Sequence, residues 1–490
     1  MREKMSSEAR QKLDADVAKA FRWQGNAPDN WVPARGGTDQ DVVIVGGGQT
    51  GVAIAYGLRR RGIHRVSVID KAPEGEAGVW TTIARMNLLR TQKTIAGPEQ
   101  GNPAIGFRAW YETLNGPEAF DALLRIPRLD WAAYLDWFRN TVGVAVAHDT
   151  ELLDVEPVAA GLKLQLRTKG ETRTLVTRKL VLATGFAGSG APNIPDFIAA
   201  LPKALWSHTI EAIDFDALRG RSVGVIGAGP SAFDAAAVAL ESGAADVHLF
   251  SRRAQISYPA PPPPGSPPAG KYYQGAYDNF HHLPDAVRWA HQKLLDDNGT
   301  STPLDSIDRA VRFDNFHIHL DARALNERVE GDRLLLSADG ETIALDHLVA
   351  ATGYRVDLSL RPELARVAPD VLLWGDAHQP DAGGENPVGA RYPYLGEGFE
   401  FREKVPGAAP WLADIHCYNI AASLSSGKYL SDVPSMGELS RLTAGISKGL
   451  FFADGAQHAA RINATPPAAH DDSPYRAAVR RNAQTEEIPA

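Results

Sequence analysis

Between residues 40 and 185 the chain alternates short apolar runs with Ala/Leu-rich stretches, the pattern of strands alternating with helices. The run Val42–Val45 ends on Gly46-Gly47-Gly48-Gln49-Thr50-Gly51. A helical pattern follows, and a second apolar run, Val66–Ile69, closes on Asp70. About 180 residues on, the pattern returns: Ser222–Ile226 runs into Gly227-Ala228-Gly229-Pro230-Ser231-Ala232, then a helix, then Val247–Phe250 closing on Ser251-Arg252-Arg253. Elsewhere, Asp130–Arg139 is amphipathic at helical spacing and Glu151–Leu182 reads as strands. Ser7–Phe21 reads as a helix leading into a loop through Trp23 and Trp31, and a further helix is predicted from about Pro284 to Asp297. The proline run of residues 258–270 can form neither helix nor interior strand. It is expected as an extended surface loop, a lid or a plain insertion, ahead of Tyr272, Tyr273 and Tyr277. The pattern predicts an α/β fold with two Rossmann-like dinucleotide-binding domains.

A strand, a glycine turn, a helix and a second strand about 20 residues later form the context in which the glycine fingerprint binds a dinucleotide. Gly46 and Gly227 are expected to make the tight turns. Gly48 and Gly229 would let a pyrophosphate approach the backbone, and Gly51 and Ala232 would allow close helix–strand packing. Gln49, Thr50, Pro230 and Ser231 open the two helices, whose positive N-terminal ends favour phosphate. Asp70 can accept both ribose hydroxyls of an adenosine, as FAD or NAD requires. Ser251, Arg252 and Arg253 occupy the equivalent place in the second unit, where guanidinium groups attract a 2′-phosphate, so NADPH is expected there. Lys71 beside Asp70, and Thr184 and Thr352 in two Ala-Thr-Gly turns, complete the expected cofactor contacts. No metal ligand is expected.

Those turns, Val181-Leu-Ala-Thr184-Gly185 and Val349-Ala-Ala-Thr352-Gly-Tyr354, bracket the second fingerprint. Read as crossings, they insert an NADPH-binding domain into a FAD-binding domain. The expected order is an N-terminal helical arm (1–38), the first part of the FAD domain (39–199) and the NADPH domain (200–345) with its Pro-rich insertion (258–270). The completion of the FAD domain (346–463) and a flexible tail (464–490) follow.

The 490 residues, 44% hydrophobic and 22% charged, suffice for two or three globular domains. A formal charge of −8 without a basic stripe argues against a nucleic-acid partner. No apolar run has the length of a membrane span and the opening residues lack a secretory apolar region, so a cytoplasmic location is expected. Cys417 is the single cysteine, which excludes a CxxC pair and any disulfide within the chain. Electrons arriving at a flavin must then leave by another route, and oxygen is the natural acceptor. Cys417 itself is expected to be a buried small residue. His281, His282, His291, His317 and His319 lack a known metal-ligand spacing, and no nucleophile elbow is present.

The order of flavin fingerprint, Ala-Thr-Gly crossing, NADPH fingerprint and second Ala-Thr-Gly-Tyr resembles the class B flavin-dependent monooxygenases over roughly residues 40–360. These are the flavin-containing, Baeyer–Villiger and, more distantly, amine N-hydroxylating monooxygenases. Asp70–Trp80 resembles the family's acid-to-Gly-Gly-x-Trp segment, with Ala77 replacing one glycine, and the resemblance places Trp80 near the flavin. Leu89-Arg90-Thr91-Gln92-Lys93 resembles the segment across the flavin's reactive face, with Arg90 where asparagine is usual. Arg90 and Lys93 are therefore catalytic candidates and Thr91 a cofactor contact. Of the family's Phe-x-Gly-x-x-x-His linker only His208 survives, a third catalytic candidate that would couple domain movement to NADP⁺ retention. Leu373-Trp374-Gly375-Asp376 resembles a terminal flavin-binding Gly-Asp and equally suits a surface turn.

The resemblance implies FAD and NADPH as cofactors, with O₂ and a small organic substrate as partners. Hydride would pass from NADPH to FAD, and a flavin hydroperoxide would then oxidise an amine, a sulfide or a carbonyl. An arginine beside that adduct would favour its anion and so carbonyl oxidation, whereas Arg90 equally suits a substrate carboxylate. An NADPH-dependent reductase or oxidase of the same architecture is the alternative. Substrate identity and a homodimeric state are left open by the sequence.

Overall fold

The computed structural model describes residues 7–258, 278–323, 325–338, 340–430, 432–464 and 469–480. The proline run beyond Tyr258, Tyr272, Tyr273, Tyr277 and parts of the expected tail lie outside the described residues. β1 (Gln40–Val45) is covered on both faces, which is why it reads as a continuous apolar run: Val42, Val43 and Ile44 have no exposed surface. It pairs in parallel with β2 (Val66–Ile69), and β2 with β3 (Val146–Ala147). β4 (Thr150–Val158), β5 (Gly161–Thr168) and β6 (Glu171–Leu182) form an antiparallel meander that returns to β1, giving the order β3-β2-β1-β6-β5-β4. On β5, buried Leu162, Leu164 and Leu166 alternate with Lys163, Gln165 and Arg167, the period of a strand buried on one face.

Beyond the first crossing, β7 (Gly190–Pro192) and β8 (Trp206–His208) lead into a second parallel sheet. There the fully buried β9 (Ser222–Ile226) pairs with β10 (Asp246–Phe250), and β10 with β11 (Phe316–His319). β12 (Asn326–Glu330), β13 (Arg333–Ala338) and β14 (Glu341–Leu345) form a small antiparallel sheet. β15 (His347–Ala350) then returns between β9 and β8. β16 (Tyr354–Val356) pairs antiparallel with β7, so the outgoing and returning chains run side by side. β17 (Ile415–Cys417) later joins the first sheet beside β6.

The fold is α/β with two Rossmann-like units, and the helices Gln49–Arg60 and Pro230–Glu241 follow the two glycine turns. The N-terminal helix spans Ser7–Gln24 and buries Leu13 and Val17 in the same core as β1. Asp130–Arg139 lies within the helix Arg128–Thr141, and Pro284 caps the helix Asp285–Asn298.

Candidate functional site

The two glycine turns open into one continuous cavity of about 1300 Å³. Gly46 has φ +113°, and a Cβ there would lie 2.3 Å from the Ala183 carbonyl oxygen; Gly227 has φ +129°, with 2.4 Å to that of Ala351. Each turn thus presses on the carbonyl just before a crossing threonine. A Cβ on Gly51 would sit 1.8 Å from the Gly46 carbonyl oxygen. Its counterpart Ala232 is fully buried and, like Gly51, does not line the cavity. Gly48 passes Gly78, while Gly229 faces open space.

Asp70 is fixed by backbone donors, with Gly47 N–H on Oδ2 at 2.7 Å and Ala72 N–H on Oδ1 at 2.8 Å. Each oxygen retains a lone pair towards the cavity that Asp70 lines with Lys71. Gln49, buried at the start of its helix, accepts from Trp80 Nε1 (3.1 Å) and Trp131 Nε1 (3.0 Å). Thr50 and Thr91 line the same wall. Thr184 Oγ1 accepts from Asn419 Nδ2 at 3.0 Å, and Thr352 donates to the Asn193 carbonyl.

At the end of β10, buried Ser251 accepts from Arg253 N–H at 3.1 Å. The Arg253 guanidinium donates to the Asn298 carbonyl. Arg252 is exposed and has no partner among the described residues. Arg323, which the sequence reading missed, lines the cavity with them, and Pro230 and Ser231 lie nearby on the wall. The first strand end is therefore acidic and the second basic.

Residues 83–86 and 89–91 form a stretch of the wall of this cavity. Arg85 donates to the carbonyls of Thr209 (2.6 Å) and Glu211 (2.7 Å), and Arg309 donates to the Arg85 carbonyl at 3.0 Å. Arg128 donates to the carbonyls of Met86 (3.0 Å) and Trp80. Arg90 does not stand as a free cation: its Nη2 lies 3.3 Å from Asp234 Oδ2, on the helix Pro230–Glu241. The Arg90 side chain is 36% exposed and that of Asp234 3%. Burial pushes the Asp234 carboxyl up, opposed by Arg90, Ser306 and Arg309. Asp234 thus offsets part of the Arg90 charge.

Three further segments singled out in the sequence lie off the cavity lining. Lys93 does not border the cavity; its ammonium donates to the carbonyls of Phe120 and Asp121, both at 2.8 Å, at the end of the helix Pro117–Ala122. His208 is fully buried and away from the cavity wall. Its Nδ1 accepts from Ile210 N–H (3.2 Å), which leaves Nε2–H to donate to the Gly353 carbonyl (3.1 Å); burial lowers its pKa. It therefore ties β8 to the second crossing. Leu373–Asp376 is a small capped turn in which Asp376 pairs with Lys404 at 2.8 Å, apart from the cavity.

Cys417 is buried on β17, and burial pushes its thiol up to about 12, so it supplies no thiolate. Tyr392 and Phe399 are core residues. Arg85, Asp234, Arg361, Tyr429 and Asp432 line the cavity without having been singled out in the sequence. Only Asp234 had a usable signal, lying three residues past Ser231 on the fingerprint helix.

These residues fit two dinucleotides, because each cradle has room at its second glycine and each strand end carries the charge its nucleotide needs. Residues 40–269 match the family described as pyridine nucleotide-disulphide oxidoreductase. The chain is 36% identical over 430 residues to the FAD-dependent urate hydroxylase of Xanthomonas campestris pv. campestris, covering 86% of this chain and 89% of that protein. Among solved structures, the ornithine hydroxylase of Pseudomonas aeruginosa aligns with TM-score 0.62 at 18% identity, over 84% of this chain and 99% of that one. The L-lysine 6-monooxygenase of Pseudomonas syringae aligns with TM-score 0.61 at 19% identity, over the same shares. At such identities these two structures establish shared fold.

Proposed function

This chain belongs to the FAD-dependent hydroxylases of the class B flavin monooxygenase family, and we propose that it hydroxylates a small planar heterocycle of the urate class, with NADPH as hydride donor. Substrate, O₂, NADPH and a proton enter; hydroxylated product, NADP⁺ and water leave. The observation that carries the reading is the single cavity shared by both cradles, which lets two cofactors meet within one wall.

Bound FAD would accept hydride from the nicotinamide and activate O₂. The protein's own part is holding and positioning. Asp70 takes the adenosine ribose, and the turn from Gly46 with the helix from Gln49 takes the pyrophosphate. Gly227–Ser231 does the same for NADPH, with Arg252 and Arg253 on its 2′-phosphate. Arg85 and Arg128 fix the segment from Trp80 to Thr91 through carbonyls, so that it keeps its place along the cavity. Arg90 supplies a cation suited to an anionic heterocycle.

A cytoplasmic location is part of this reading, and the absence of a nucleic-acid partner fits the net charge of −8. Among the described residues no helix is long and apolar enough to cross a membrane. The test is steady-state turnover of the FAD-loaded protein with urate. Expected are urate loss matching NADPH oxidation, peroxide far below stoichiometric, and a preference for NADPH over NADH. Stoichiometric peroxide whether or not urate is present would favour an oxidase instead.

A further inference from the structure

The Arg90–Asp234 pair joins the wall segment of one unit to the fingerprint helix of the other, and both residues border the cavity. Its two ends are held unequally. Asp234 Oδ1 also accepts from the Ser306 hydroxyl at 2.7 Å, and Arg309 Nη1 lies 3.7 Å away. Arg309 is itself anchored by two nitrogens on Glu241, at 3.1 and 2.8 Å, and by the Arg85 carbonyl. Arg90 has Asp234 as its one ion-pair partner among the described residues, and a third of its side chain is exposed. The carboxylate therefore keeps two partners if the guanidinium leaves, and water from the cavity can replace it on Oδ2. A cation on a long side chain, with one ion-pair partner at 3.3 Å and facing a cavity, is a cation that can be handed over.

We propose that Asp234 is the resting partner of Arg90, and that an anionic substrate entering the cavity takes the guanidinium over from it. The substrate class, a planar monoanion, rests on the urate reading above. Asp234 is then a positioning residue that sets the affinity for anions: its charge competes with the substrate for the same guanidinium. It also explains why a cation in this wall need not attract stray anions between turnovers.

The test is a titration of the oxidised, FAD-loaded protein with urate, followed by the flavin difference spectrum, on wild type, Asp234→Asn, Arg90→Gln and the double variant. Asp234→Asn is expected to lower the urate Kd several-fold, Arg90→Gln to raise it tenfold or more, and the double variant to match Arg90→Gln. Asp234→Glu, which restores the charge, should return the Kd towards wild type. An unchanged or raised Kd in Asp234→Asn, or an Asp234→Asn effect that persists without Arg90, would overturn the proposal. So would an equal loss of NADP⁺ affinity in Arg90→Gln, since Arg90 would then serve the cofactor. If wild type ignores urate, the substrate reading fails alone, and benzoate against neutral benzamide becomes the probe pair. Selective binding of benzoate with the same mutant pattern supports the handover; wild type taking up neither anion overturns it. Melting curves identify a variant that has not folded, and Asp234→Ser or Arg90→Met, which also removes the charge, then replaces the affected substitution with the same expected pattern.

Discussion

Gly46 and Gly227 meet one steric demand in the same way, and Asp70 and Arg252 end the same motif with opposite charge. Each glycine takes a positive φ against the carbonyl of an alanine, Ala183 or Ala351, that precedes a crossing threonine. The pyrophosphate cradle is thus a property of backbone geometry shared by both units. What distinguishes the units is the end of the next strand: Asp70 immobilised by two backbone N–H groups, Arg252 exposed and unpaired among the described residues. The helices differ too. In the first unit the helix approaches its turn so closely that only glycine fits at 51, whereas the second accommodates Ala232. A common cradle can therefore be tuned to two nucleotides by a few side chains at its rim.

The largest effect should come from exchanging the helix-packing residue. Gly51→Ala forces a methyl into the Gly46 carbonyl, and we expect loss of bound FAD with about 1–3 kcal/mol of destabilisation. The reciprocal Ala232→Gly should cost about 1 kcal/mol and leave NADPH binding intact. Flavin retained after gel filtration of Gly51→Ala, with an unchanged melting temperature, would erase the difference drawn between the two helices. Next comes Asp70→Ala. Losing charge-assisted bonds of about 1.5–3 kcal/mol should weaken FAD roughly tenfold to a hundredfold, measured by flavin fluorescence titration, with no change in NADPH affinity. Smaller again is Arg252→Ala combined with Arg253→Ala, which should narrow the NADPH-to-NADH ratio of kcat/KM about tenfold by raising the KM for NADPH alone. A ratio that stays put would detach the basic rim from coenzyme choice.

The fold was legible because its signals are local. A buried strand, a glycine turn and a helix leave a contiguous trace, and both units were readable from Val42–Gly51 and Val223–Ala232. The cofactor side of the site was legible for the same reason. The reactive side was not, because its residues come together only through contacts across the cavity. Arg90 was noticed as an arginine, but nothing near it in sequence announces Asp234. Lys93 lies three residues from Arg90, yet its ammonium caps a helix end instead of reaching the cavity. His208 kept its place in a degenerate linker while its ring was committed to backbone at both nitrogens. Type and spacing identify a cradle; they do not say which way a long side chain turns.

The two sheets can also be compared by the histidine each buries beside its crossing strand: His416 on β17 opposite Val181, and His208 on β8 opposite Ala350. His416 donates from Nδ1 to the Gly398 carbonyl at 2.7 Å and leaves Nε2 without a partner among the described residues, whereas both nitrogens of His208 are used. Burial, followed by the nearby Lys179, pushes His416 down to about 3; burial also lowers His208. Above the unfolded value of about 6.5, folded and unfolded chains are both neutral at these positions and neither affects stability. As pH falls below it, the unfolded chain binds protons that the native chain refuses. Stability then declines by up to about 1.4 kcal/mol per pH unit for each histidine. For His416 that decline continues to about pH 3. The melting temperature should therefore drop by a few degrees between pH 7 and pH 5.5, and His416→Gln, which cannot take up a proton, should flatten that drop in part, since burial also lowers His248, His281, His291 and His347. A His416→Gln slope identical to wild type would mean that its burial is relieved before it titrates, leaving His208 and the other buried histidines to account for the acid sensitivity.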